Sequence, residues 1–342
     1  MMKAANGFLA FNILISKIHI FINPAQANEG VCMGKVCLSI IFNHKYNKNI
    51  PLLQELYGKR FSSIYYIVPF FNETMDDTYK SRIISVYESS YCFQGYIAQA
   101  YDRIKNKQFS HYIFIGDDQI LNPRLNENNI LDEMGLSEQD SYIKEIIPYD
   151  ETGSGSLVDQ SNKLFYILSA FKINVGVSYL TEIPSYDEAA ARCKKHNLRV
   201  AKSLPVSFFM NKGYIHPKHL PLTLNTLGIN KGRKLYYPLF KAYSDMVIIN
   251  EGSFKEFSRL SGIFAAMNIF VETAIPLAMV LACESIKYEK DMKKLYGVEW
   301  WGDQISQFEA SYNADLDRLL QNFDDCILYY HPIKLSKWKR SK

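Results

Sequence analysis

The chain has 342 residues, 48% of them apolar and 22% charged, and a net charge of +4. Such a composition excludes global disorder and allows one large α/β domain or two ordinary ones. The charge is too small to argue for nucleic acid as a partner. The six cysteines form no CxxC pair, which argues against a zinc ribbon or disulfide framework and fits a reducing compartment.

The opening stretch "MMKAANGFLAFNILISKIHIFINPAQANEG" (1–30) combines an early Lys3, an apolar centre and Ala25-Gln26-Ala27, as a secretory signal would. Asn12, Lys17 and His19 interrupt that centre, whereas a spanning helix keeps about 20 residues apolar. Residues 1–32 therefore read as an N-terminal extension, with Met33 as the natural start and a cytoplasmic protein as the consequence. A signal or membrane anchor is the alternative.

From Met33 onward the elements follow one another closely. Residues 36–42 form an apolar strand ending at Asn43 and His44. Residues 49–61 have Pro51 near the start, apolar residues at helical spacing and Gly58 at the end, which predicts a helix. Strands follow at 63–71 and 82–88. An amphipathic helix is predicted at 93–106, with Tyr96, Ala100 and Ile104 along one face. "HYIFIGDDQILNP" (111–123) then gives a buried strand ending in Asp117 and Asp118. Strands alternating with helices predict an α/β fold with a mostly parallel central sheet flanked by helices. Ligands of such sheets lie beyond the carboxyl ends of the strands, where Asn43, residues 70–72 and 88–90, Asp117 and Asp118 all fall.

"DETGSGSLVDQS" (150–161) is linker-like and divides a half at 33–150 from a half at 151–342. Helical patterns follow at 162–172 and 186–196, then a strand-like run at 204–210. "GIFAAMNIFVETAIPLAMVLAC" (262–283) has the length of a membrane span, but Glu272 near its middle and Pro276 predict a buried helix facing a site. The last strand is expected at 326–331. In "KLSKWKRSK" (334–342) five basic residues surround Trp338, as in a solvated tail, or one making peripheral contact with anionic lipid at the inner face of a membrane.

Ionised carboxylates are costly to bury unless paired or bound to a cation. Asp117 and Asp118 therefore either cap a turn or hold a divalent ion. Mg²⁺ and Mn²⁺ take hard oxygen ligands, often one or two carboxylates together with substrate phosphates, and Gly116 permits close approach. An apolar strand ending in an acidic pair, after an α/β half, resembles the Asp-x-Asp metal motif of GT-A-fold glycosyltransferases. The triplet here, Asp117-Asp118-Gln119 or Gly116-Asp117-Asp118, departs from a full Asp-x-Asp.

The resemblance implies a GT-A-like fold with a nucleotide-sugar-binding half at 33–150 and an acceptor-binding half at 151–342. It implies Mn²⁺ or Mg²⁺ as cofactor and a nucleoside-diphosphate sugar as donor. Asp118 becomes the metal ligand and Asp117 the contact to the ribose or donor sugar, with the two roles exchangeable. Several such enzymes complete the metal shell with a histidine near the carboxyl terminus, followed by a lysine on the diphosphate. "YYHPIKLSKW" offers His331 and Lys334 in that order. Asn43 is a candidate for the nucleotide pocket.

Glu272 amid apolar residues suits a general base toward an acceptor hydroxyl, or else it is a buried glutamate bonded to a backbone amide or to Arg259. Glu251 and Asp245 are the runners-up. Trp300 and Trp301 in "WWGDQ" offer flat faces to a sugar, or pack in the interior. Cys193 with His196, and His216 with His219, have two-ligand spacing without matching partners, which argues against zinc. Without GxxxxGK[ST], GxGxxG or GxSxG, a P-loop NTPase, a Rossmann dehydrogenase and an α/β serine hydrolase are all disfavoured. The expectation is a metal-dependent glycosyltransferase acting on a glycan or lipid-linked acceptor. A nucleotidyltransferase on a similar sheet and a non-catalytic glycan-binding protein are its rivals.

Overall fold

The computed structural model describes residues 35–44, 46–72, 77–151, 171, 179–203 and 235–340. Contacts divide the chain into Met1–Cys32 and Met33–Lys342, and all the described residues belong to the second unit. The expected extension at 1–32, the patterns at 162–170 and 204–210, most of the linker-like 150–161, and His216 and His219 lie outside the described residues.

Twelve strands occur among the described residues. In chain order they are β1 (Lys35–Ile41), β2 (Ile64–Pro69), β3 (Ile83–Val86), β4 (Phe109–Gly116), β5 (Ile120–Leu121), β6 (Asp140–Ile143), β7 (Ile147–Pro148), β8 (Phe240–Lys241), β9 (Met246–Asn250), β10 (Ser285–Lys287), β11 (Tyr296–Glu299) and β12 (Ile327–His331). Seven of them form the central sheet in the order β10-β6-β9-β4-β1-β2-β3. Neighbours run parallel except around β9, which is antiparallel to both β4 and β6. The protein is thus α/β with a mostly parallel central sheet flanked by helices. β9 and β10 come from the chain after residue 150, so both halves of the sequence contribute to one sheet.

Period-two alternation explains how that sheet is covered. Val36, Leu38 and Ile40 of β1 face one layer while Cys37 and Ile41 face the other. The first layer holds the helices Ile50–Tyr57 and Leu316–Gln321 and a small sheet, β11-β12-β5. The second holds the helices Gln94–Ile104, Glu251–Ala266 and Val271–Ala282. Tyr112 of β4 stacks on Phe254 with ring centroids 3.9 Å apart, fixing β4 to the second layer.

The order of the strands locates a crevice. From β1 the chain builds outward through β2 to β3, and β4 then returns to the opposite side of β1. Where the winding reverses, the loops at the carboxyl ends of β1 and β4 diverge and leave room for a ligand.

Two expectations are corrected here. The stretch 262–283 is not one helix: Glu251–Ala266 ends before Asn268, whose φ of 55° lies in the left-handed region, and a new helix starts at Val271. Asn tolerates that conformation and commonly closes helices, but continuous apolar character hides the break. Glu272 consequently lies in the first turn of a helix, where the backbone dipole favours a carboxylate.

The basic segment is not a solvated tail as far as Arg340. Leu335 and Trp338 are buried, and Trp338 packs against Phe308 and Tyr312. Arg340 Nη2 lies 2.8 Å from Asp317 and 3.1 Å from Glu55. Among the described residues no helix is long and apolar enough to cross a membrane. The described cysteines, Cys37, Cys92, Cys193, Cys283 and Cys326, are all free thiols.

Candidate active site

Strand register brings three separate elements to the crevice. Ile41 of β1 is level with Gly116 of β4, and the Asp117 amide donates to the Ile41 carbonyl at 3.0 Å. Because β9 runs the other way, its first residue, Met246, pairs with Ile115 at the carboxyl end of β4, which delivers Ser244 and Asp245 to the same place. β12 pairs with β5 through Tyr330 and Ile120, so His331 arrives beside the turn holding Asp118. The Ile333 amide donates to the Asp118 carbonyl at 2.6 Å and fastens the two segments.

The two aspartates have different surroundings. Asp117 is buried and accepts hydrogen bonds from the Asn49 side chain and the Asn43 amide. Burial, reinforced by the neighbouring Asp118, pushes its carboxyl up to about 7. Asp118 turns toward His331, with Oδ1 3.3 Å from Nε2. That contact is an ion pair rather than a well-formed hydrogen bond. A Cβ on residue 116 would stand 3.0 Å from this oxygen, so glycine there lets the carboxylate fold back over the strand end.

His331 lies between two carboxylates. Its Nδ1 is 3.6 Å from Asp245 Oδ2, on the side opposite Asp118. Burial alone would lower the imidazole pKa, but Asp245 and Asp118 outweigh it and raise it to about 9. Burial likewise raises the Asp245 carboxyl, with His331 acting in the other direction. Behind His331, the Trp300 amide donates to its carbonyl at 3.0 Å. Glu299 is held by the Tyr329 hydroxyl at 2.7 Å and by Lys144 Nζ at 3.0 Å.

Asn43, Gly116, Asp118, Ser244, Asp245 and His331 line a small cleft of about 20 Å³, the size of an ion or a water, with Ile41, Phe93 and Phe114 among its apolar walls. Asn43 Oδ1 and Ser244 Oγ are both buried without hydrogen-bond partners. Unpaired buried polar atoms cost about 1–3 kcal/mol each, and Asn43 Oδ1 and Ser244 Oγ give the cleft two groups that a polar ligand would satisfy.

Of the residues singled out in the sequence, Asp118, His331 and Asn43 meet at this cleft. Asp117 backs it from inside. Glu272 and Lys334 do not line it. Glu272 Oε2 lies 3.8 Å from Lys241 Nζ, while Arg259 pairs instead with Glu256 and Glu182. Lys334 is exposed, three residues beyond His331. Trp300 is half-buried, stacked on Phe308 and Tyr330 at 3.8 and 5.2 Å. Trp301 is 55% exposed.

Sequence reasoning weighed Asp245 only as a base and passed over Ser244. The available signal was the apolar run 246–250 directly after them, but nothing in that run tells its direction in the sheet.

Among the described residues no three carboxylate, imidazole or thiol groups already converge as a metal site. The reason is geometric: His331 presents different nitrogens to Asp118 and Asp245. Asp118 and His331 Nε2 are the two groups able to hold a cation here, with Asp245 orienting the ring through Nδ1. A carboxylate with an imidazole is a donor pair of a kind that suits Mn²⁺. No protein-family model matches the chain, and no curated protein matches it.

Proposed function

We propose that the protein is a metal-dependent glycosyltransferase of GT-A-like fold, moving a sugar from a nucleoside-diphosphate donor to a glycan or lipid-linked acceptor. The observation that carries this reading is the meeting of Asp118, His331 and Asp245 at the switch point of the sheet, with the unpartnered Asn43 Oδ1 and Ser244 Oγ beside them. Asp118 and His331 would hold Mn²⁺ or Mg²⁺, which when bound offsets negative charge on a departing diphosphate.

The chain's own groups supply the rest. Asp245 fixes the ring of His331 through Nδ1, and a bound cation would take the place of the Nε2 proton that the imidazole, its pKa raised to about 9, otherwise holds. Asn43, its Oδ1 buried and open to a partner, contacts the nucleotide beyond β1. Asp117, shut in by Asn49 and Asn43, sets the turn that aims Asp118 and reaches the donor only through a rearranged loop. Lys334 places an ammonium three residues past His331, where it neutralises phosphate oxygens. Glu272, held near Lys241 at a helix start, takes the proton of the acceptor hydroxyl. Orientation and electrostatic stabilisation of the leaving group provide most of the rate.

The test is release of UDP or GDP from a panel of nucleotide sugars with Mn²⁺ and Mg²⁺. Turnover is expected with a metal and one donor base, and Asp118→Asn should abolish it while the circular dichroism stays unchanged. Undiminished turnover in that variant would overturn the assignment.

A further inference from the structure

Beside the proposed catalytic cleft lies a second cluster that metal and donor leave unused. Trp301 keeps 55% of its surface exposed although its neighbour Trp300 is half-buried against Phe308. Its ring lies 5.4 Å from that of Tyr243, tilted by 46°. Both are tied to the cleft by short stretches of chain. Tyr243 is two residues before Asp245, and Trp301 follows Trp300, whose amide is bonded to the His331 carbonyl.

The charges around this platform are mostly negative. Burial raises the pKa of the Tyr243 hydroxyl, and the charges of Glu272, Glu299, Glu145 and Asp245 add to it. The two lysines nearby are committed: Lys144 lies 3.0 Å from Glu299, and Lys241 lies 3.8 Å from Glu272 with its ammonium 4.4 Å above the Tyr243 ring. An indole face welcomes the C–H face of a sugar ring, and the partly exposed carboxylates of Glu145 and Glu272 can accept from hydroxyl or ammonium groups, whereas Glu299 is buried on Tyr329 and Lys144. The same carboxylates repel a phosphate or a uronic acid.

We infer that the Trp301–Tyr243 platform is the acceptor subsite, and that the acceptor ends in a neutral or amino sugar ring stacked on Trp301 rather than in an anionic group. This rests on the glycosyltransferase reading, but its test does not need a donor. Saturation-transfer NMR on the full chain, with millimolar lactose, cellobiose, chitobiose, glucuronic acid and glucose 6-phosphate, reads the preference directly.

At least one neutral or amino sugar should bind, with the two anionic sugars giving no signal. Trp301→Ala should weaken that sugar roughly tenfold, about 1.4 kcal/mol, and Trp301→Phe should restore most of the affinity. Preference for an anionic sugar, binding indifferent to Trp301→Ala, or no sugar binding at all would overturn the inference. Nucleotide-dependent thermal shifts, measured alongside, should be unchanged in Trp301→Ala. Sugar binding that depends on Trp301 without any nucleotide shift would uphold the platform as a sugar-binding site, but sink the transferase and with it the acceptor role.

Discussion

At the scale of single residues, the candidate site rests on His331 and its two carboxylates. If Asp245 acts only by orienting the imidazole, Asp245→Asn should lower Mn²⁺ affinity about 10–100-fold without abolishing binding. Isothermal titration with Mn²⁺ and the cognate nucleoside diphosphate measures this. The same triad leaves a signature in stability. The folded protein holds the His331 pKa at about 9, against 6.5 for an ordinary histidine, so the native state binds that proton more tightly than the unfolded chain. The resulting stabilisation is complete below pH 6.5 and lost as pH rises to about 9. The metal-free protein should therefore melt at falling temperatures across that window, and His331→Gln should flatten the slope. An equal slope in the variant would place the titrating group elsewhere. Asp117 works in a lower window: its carboxyl, raised to about 7, makes the fold lose stability as pH climbs from about 4 to 7.

At the scale of elements, the site depends on how β11 and β12 are packed. Gly297 of β11 lies under the ring of Tyr329, and a Cβ there would stand 2.2 Å from Tyr329 Cζ. Tyr329 is buried and its hydroxyl anchors Glu299, so the ring has nowhere to go. Gly297→Ala should cost about 1–3 kcal/mol by overpacking and loosen the strand that carries His331. A urea titration showing an unchanged midpoint would contradict this. These elements also show what a sequence can and cannot disclose. β1, β2, β4 and the helix Gln94–Ile104 were legible because each is a clean apolar run or stripe with a turn residue at its end. Short strands such as β6, β10 and β11 were not, since three or four residues carry too little periodicity. The break at Asn268 was hidden because the chain is mostly apolar on both sides of it, from Gly262 through Cys283. Trp338 looked like part of a basic tail because its burial depends on Phe308 and Tyr312, distant in sequence.

At the scale of the whole molecule, the α/β class and the acidic end of β4 were visible from alternation and from the cost of burying carboxylates. Asp118 and His331, 213 positions apart by their numbering, were paired by resemblance, and the register of β12 against β5 is the physical reason they meet. Asp245 was out of reach of that reasoning, because only the antiparallel insertion of β9 beside β4 brings it in. The proposed function unites these parts in one requirement: nucleotide and metal must bind together, through Asp118. The decisive measurement is the thermal shift of wild type and Asp118→Asn with UDP or GDP, with and without Mn²⁺, since ligands that bind only the native state raise its melting temperature. The account predicts a shift that needs nucleotide and metal together and disappears in Asp118→Asn. No shift with any nucleotide, or an equal shift in the variant, would contradict it.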